Sequence, residues 1–268
     1  MKMAAIVALI ICAINIELAH GGDAPTAVRS PVVVELFTAE GCSSCPPADA
    51  FLVQLDASQP IAGAQLIVLS EHMDYWDGQG WPDPFASSAL TGRQRGYVHA
   101  LGLREAYTPQ FIVDGVTELR LKDRQQIAQI FQKAAVAPKI PVNIAAVEVV
   151  PGTPANLSGR IEADGDSVQH RADVYMGLAL DQVESKVLRG ENRGHTLTHV
   201  AVIESLTKIG SLPPGQRFSQ DFRVPLKPGM DPGNLRVIVF VQEPGYGRVV
   251  GAAMRRTALE HSTAQSRN

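Results

Sequence analysis

The chain has no excess of either charge: 24 Lys and Arg stand against 27 Asp and Glu, for a formal net charge of -3. No basic field is therefore available to hold a phosphate backbone or an anionic lipid surface, and partners must be recognised locally. Cysteine is scarce, three in 268 residues, so the chain is no disulfide-stapled scaffold. The 23 glycines and 18 prolines follow no repeat period, which excludes collagen-like and low-complexity classes. No apolar run beyond the first twenty residues is long enough to span a bilayer. What is present is 45% hydrophobic residues, enough to bury the core of one or two globular domains.

Lys2 precedes an apolar stretch from Met3 to Ile16, and Ala19-His20-Gly21 then places small residues where a signal peptidase inspects the chain. Residues 1–21 are predicted to be a signal peptide, directing the mature protein to a bacterial periplasm or to secretion without membrane insertion. Cys12 reads as an apolar residue of that signal, because branched Ile11 fills a position that lipoprotein processing keeps small. Only Cys42 and Cys45 remain in the mature chain. In an oxidising compartment the pair is expected to form a disulfide, yet closing about 4 residues is worth only about 2 kcal/mol, against about 4.7 for a 100-residue loop. Redox chemistry is thus a better reason for the pair than stability, with metal binding and a plain local disulfide as alternatives.

The β-branched run Pro31 to Phe37 reads as a buried strand, and the chain then turns through Thr38-Ala39-Glu40-Gly41 into Cys42-Ser43-Ser44-Cys45. Pro46-Pro47 suit a first helical turn, and Ala48, Phe51, Leu52 and Leu55 continue the helix until Ser58-Gln59-Pro60. A second buried strand, Gln65 to Ser70, completes a βαβ unit. Asp114-Gly115 between Phe111–Val113 and Val116–Leu121 predicts a tight hairpin. Asp123 stands as an N-cap before a helical face of Ile127, Ile130, Phe131 and Ala134. The long connection at about 71–107 holds Tyr75, Trp76, Trp81 and Phe85 and a helix from about Ala86 to Leu101. It leads into Tyr107-Thr108-Pro109.

A Cys-x-x-Cys at a helix N-terminus, a βαβ unit and a Thr-Pro loop before a ββα unit resemble the thioredoxin fold. More narrowly, ELFTAEGCSSCPPAD, HMDYWDGQGWPDPFASSALTGRQRGY and GENRGHTLTH resemble the secreted thioredoxin-like family catalogued as domain of unknown function 1223. The resemblance implies an α/β thioredoxin-like domain at 31–137, with a helical insertion at about 71–107. It also implies a cis Pro109, with Thr108 backbone groups pairing with an extended protein thiol or disulfide substrate. Thioredoxins carry a buried acid in the first strand as a proton relay, a role that Glu35 would take here, although it is set one residue further from the first cysteine. They also carry a Trp before that cysteine, where Gly41 is expected to leave open space beside Cys42.

An ordinary thiol is only a few per cent ionised at pH 7, and a helix N-terminus favours its anion. Cys42 is therefore the expected nucleophile and the less accessible Cys45 the resolving thiol. The hydroxyls of Ser43 and Ser44 would either donate to sulfur or cap the helix. Tyr75 and Trp76 would line a substrate groove or pack the insertion against its own domain, while Asp74 and Asp77 would cap turns. The competing reading is a copper chaperone using Cys42, Cys45 and His72. His195 and His199, four apart, are not expected to converge on an ion.

After Ala135–Pro141 the texture changes to seven short alternating runs: VNIAAVEVV, NLSGRIEA, ADVYMGLAL, HVAVIESL, RFSQDFRV, LRVIVFVQ and RVVGAAM. Their spacing predicts a separate all-β sandwich-like domain over 140–257, with a frayed end from Glu260. The expected function is thiol–disulfide exchange on proteins, with Cys42, Cys45, Pro109 and Glu35 in catalysis and Thr108, Tyr75 and Trp76 in substrate binding. No cofactor is implied. A noncatalytic binding module with locked cysteines is the third reading.

Overall fold

Val32 to Thr38 are all buried, as in a strand covered on both faces, and they form most of β1 (Ser30–Thr38). A computed structural model of the chain describes residues 29–122 and 124–257. The expected signal peptide with Cys12, the expected Asp123 cap and the end expected to fray from Glu260 lie outside the described residues. β2 (Ala64–His72) runs parallel to β1, with Val34 opposite Val68. Between them passes α1 (Pro46–Ser58), which opens on two prolines whose missing N–H groups cost the first turn nothing. It stops at Gln59, left-handed with φ 45°. Ala48, Leu52 and Leu55 of α1 pack on Val32, Val34 and Leu36 of β1 and on Leu66 and Val68 of β2.

The opposite face of the same strands carries a 3-10 turn (Asp74–Gln79) and α2 (Ser88–Ala100). There Leu90 and Tyr97 pack against Val33, Phe37, Ile67 and Leu69. β3 (Gln110–Val113) pairs antiparallel with β1 and folds back into β4 (Thr117–Leu119). At the turn, Asp114 and Gly115 both have positive φ, 48° and 72°, the two central residues of a tight turn closed by the Val116 amide on the Val113 carbonyl (3.1 Å). α3 (Arg124–Ala135) ends the first half.

All seven predicted runs of the second half are strands: β5 (Val142–Val150), β6 (Asn156–Asp164), β7 (Ala172–Lys186), β8 (Thr196–Leu212), β9 (Arg217–Pro225), β10 (Leu235–Gln242) and β11 (Val249–Arg256). Their assembly overturns the expected fold class. One mixed sheet of eight strands runs β11-β10-β7-β8-β2-β1-β3-β4, and β5-β6-β9 make a second sheet. The architecture is mostly β, not a thioredoxin-like α/β domain followed by a β-sandwich.

The physical reason lies in β7 and β8, which run 15 and 17 residues, well beyond their alternating runs. At one end Val174, Met176 and Leu212 face Ile144, Leu157, Ile161 and Phe222 of the smaller sheet. At the other end β8 lies beside β2, with Ser70 opposite Val202, so Val200 and Ala201 join the core under α1. The β7–β8 connection consequently projects over the amino end of α1.

Candidate active site

The turn between β1 and α1 is built on its own backbone. The Cys42 amide donates to the Ala39 carbonyl (3.2 Å) and the Cys45 amide to that of Cys42 (3.1 Å). The Ala48 and Asp49 amides then donate to the Cys45 carbonyl, at 2.8 and 3.0 Å, so the helix starts on the second cysteine. Cys45 is the N-cap residue and no side chain caps this end of α1, leaving its positive pole beside the sulfurs. Cys42 and Cys45 form a disulfide with their Cα atoms 5.4 Å apart.

Both cysteines are 0% exposed, which corrects the expectation of an accessible Cys42. Ser43 and Ser44 are exposed above them, and the Ser44 hydroxyl lies 3.4 Å from the Cys42 sulfur. Nor is there open space at Gly41. A Cβ placed there would meet the Trp76 Cβ at 3.4 Å, and Trp76 packs on Ala39, Cys42 and Cys45. The Trp76 indole N–H donates to the Thr108 hydroxyl at 2.8 Å, joining the 3-10 turn to the Thr108–Pro109 loop, whose peptide bond is cis. Beside this loop a groove of about 520 Å³ is lined by Ser44, Pro47, Tyr107, Pro109, Phe111 and Leu121. Tyr75 does not line it, and donates instead to Gln94 Oε1 at 3.2 Å. Asp74 accepts from the Thr91 hydroxyl (2.6 Å) and Asp77 from the Asp83 amide (3.0 Å), as turn caps do.

A strap from the second half completes the cover. Residues 187–195 connect β7 to β8, closed by the Gly194 amide on the Val187 carbonyl (2.8 Å). The Asn192 amide group is buried and donates to the carbonyls of Glu40 (2.8 Å) and Cys42 (3.0 Å), while Glu191 Oε2 accepts from the Ser43 amide (3.2 Å). Sequence reasoning missed this role. The available signal was Gly190 and Gly194, both at positive φ, bracketing a polar Glu-Asn pair.

Beneath the turn lies a buried polar layer that the sequence reading also missed. Asp49, on α1 one turn after Cys45, accepts from the Thr38 hydroxyl at 2.9 Å. His199 of β8, 1% exposed, stands between Asp49 Oδ1 (Nδ1, 3.7 Å) and Glu40 Oε1 (Nε2, 3.6 Å). Burial works against its charge, but the two carboxylates prevail and lift its pKa to about 9. Burial would likewise raise Glu40, yet His199, Ser185 and Trp81 hold it below the usual range. His195, by contrast, is exposed.

Two expected site residues are placed elsewhere. Glu35 is fully buried, but on the α2 face, away from the cysteines, where Arg93 Nε (2.6 Å) and the Tyr97 hydroxyl (2.5 Å) donate to it. A period-2 strand explains this: Val34 and Leu36 face α1, and Glu35 between them must face the other side. Burial and the neighbouring Glu35 carboxylate raise Glu71 well above the ordinary range in the same network. His72 is buried with both ring nitrogens engaged, Nδ1 with Asp83 (2.7 Å) and Nε2 with the Ser70 hydroxyl (3.2 Å), so neither is free for a metal. Among the described residues no group of three or more His, Cys, Asp or Glu is disposed to hold a metal ion, and no helix is long and apolar enough to cross a membrane.

The family described as a protein of unknown function (DUF1223) matches residues 33–242. No curated protein matches the chain. Among solved structures, the chain is similar to the crystal structure of a protein from Agrobacterium tumefaciens, with 26% identity and a TM-score of 0.65 over 87% of this chain and 98% of that one. It is similar in fold to HBP35 of Porphyromonas gingivalis, with 16% identity and a TM-score of 0.62 over 90% and 79% of the two chains.

Proposed function

We propose that this chain, which belongs to the DUF1223 family of proteins of unknown function, is an extracytoplasmic thiol–disulfide oxidoreductase acting on protein thiols through Cys42 and Cys45. The observation that carries the reading is a disulfide closing a four-residue ring at the uncapped amino end of α1, beside an open groove. So short a ring adds little to stability, whereas the helix terminus stabilises the thiolate that exchange releases. Cys42 is the sulfur attacked, because the exposed Ser44 beside it lines the groove. Cys45, continuous with α1, is the resolving thiol. Tyr107 and Leu121, two exposed hydrophobic residues, give the groove an apolar rim suited to a peptide segment flanking the substrate cysteine.

Exchange requires the cover to lift, since both sulfurs are shielded in the oxidised state. Their complete burial favours a second reading, a noncatalytic module whose disulfide stays closed. Equilibration with dithiol and glutathione buffers, read by alkylation and mass, separates the two. A reduction potential above about -300 mV, with exchange abolished in Cys42→Ser, supports the oxidoreductase. A pair that resists reduction for hours, or a potential below that value, supports the closed module.

A further inference from the structure

Thiol–disulfide exchange moves protons as well as electrons, and the sulfur that leaves as a thiolate inside a packed turn needs a proton supplied from within the protein. The buried layer beneath α1 holds groups suited to that task. Asp49 is four residues after Cys45, and its amide donates to the Cys45 carbonyl, so the two side chains share one face of the helix. Asp49 Oδ2, Glu40 Oε1 and both nitrogens of His199 are buried without a hydrogen-bond partner. Buried polar atoms are ordinarily satisfied, whereas the His199 nitrogens stand 3.6 Å from Glu40 Oε1 and 3.7 Å from Asp49 Oδ1, just beyond hydrogen-bond distance, an arrangement that marks a site kept for something other than stability.

We propose that Asp49 and His199 form the proton store of the Cys42–Cys45 pair, with Glu40 as the positioning residue that holds the imidazole in place. The inference rests on the exchange reading given above. The groups that face His199 are Asp49 from α1, Glu40 from the turn before it, His72 from β2, with ring centroids 4.8 Å apart, and Phe85 from the connection after it, at 6.4 Å. His72 is occupied by Asp83 and Ser70, which leaves the two carboxylates as the groups that trade charge with His199.

In the disulfide state His199 carries the proton between two carboxylates, in keeping with its elevated pKa. A thiolate of the partner protein attacks the Cys42 sulfur, the S–S bond breaks, and its electron pair leaves on Cys45. The proton passes from the imidazolium to the Asp49 carboxylate and from there to the Cys45 thiolate, leaving neutral His199 and a Cys45 thiol. On reversal the Cys45 thiol returns its proton by the same path, and its thiolate attacks the mixed disulfide at Cys42. The partner thiolate is then released. No proton is gained or lost over the cycle, and the electrons come from and return to the partner's thiol.

The test is the resolution step. The full-length protein, reduced and then loaded as a Cys42–glutathione mixed disulfide, is followed for glutathione release between pH 6 and 9, in the wild type and in Asp49→Asn and His199→Gln. Release should depend weakly on pH in the wild type. In both variants it should fall about a hundredfold at pH 6.5, the lower range for a positioned acid–base group, and recover toward the wild-type rate near pH 9. Two uncharged polar variants, each checked for cooperative unfolding in the oxidised state, guard against misfolding. Release with an unaltered pH profile in both variants overturns the proton store while leaving exchange intact. Failure of the wild type to form or release the mixed disulfide overturns the exchange reading, and the proton store with it.

Discussion

Raising the pH from 6.5 to 9.5 should remove the positive charge that His199 holds in the buried layer, and with it part of the protein's stability. His199 has a pKa of about 9 in the folded state, against an ordinary value of about 6.5 in an unfolded chain. A raised pKa stabilises the fold fully below the unfolded value and loses that stabilisation as pH climbs through the folded one. At about 1.4 kcal/mol per unit, the shift is worth about 3 kcal/mol at pH 6, somewhat over 2 at pH 7 and only a few tenths by pH 9.5. For a chain of this size that loss corresponds to a fall of about 8 °C in Tm. Lys139 and other groups also titrate on the alkaline side, so the quantity to measure is the difference between the wild type and His199→Gln at each pH, from denaturant or thermal unfolding with the disulfide intact. The variant should be less stable at pH 7, because it leaves Asp49 and Glu40 buried without a cation, and the gap should close by pH 9.5. A gap that stays constant across that window refutes the argument that His199 is held charged.

Asn192→Ala removes two hydrogen bonds that pin the strap to the carbonyls of Glu40 and Cys42. At about 1 kcal/mol each this should speed reduction of the disulfide by dithiothreitol about 30-fold, and an unchanged rate would show that the strap is not the barrier. Arg93→Met strands Glu35 beside Glu71 in the core, a change that should cost about 3–5 kcal/mol and lower Tm by about 10 °C. Glu35→Gln should leave the pH profile of Cys42 alkylation untouched, since Glu35 lies on the far face of the sheet; a shifted profile would restore it as a relay. Gly96→Ala sets a Cβ 2.2 Å from the Tyr246 ring and should cost about 1–3 kcal/mol in urea unfolding, part of it recovered in a Gly96→Ala/Tyr246→Ala double variant.

The elements legible in the sequence are those whose cause is local. A β-branched run fixes β1, two prolines open α1, and Asp114-Gly115 turns the β3–β4 hairpin, each from residues within one element or its boundary. Seven alternating runs likewise locate β5 to β11. Alternation, however, fixes which face a side chain takes and not which strand lies alongside. Nothing in HVAVIESL announces that its first residues will lie beside β2, with Val202 facing Ser70, so the second half reads as a sandwich of its own. The site divides in the same way. The cysteines are visible because their spacing is their chemistry, but Asp49 reads as an ordinary polar position of α1 until β8 brings His199 against it. Once β8 extends the first half's sheet, the strap and the imidazole arrive together, one at the β7–β8 turn and the other at the fourth residue of β8. The turn supplied by the first half is thus pinned by Asn192, and its Glu40 and the Asp49 of α1 are met by His199, from a single hairpin of the second. The misplaced fold class and the missed site residues are therefore one error, an unseen strand pairing, rather than two.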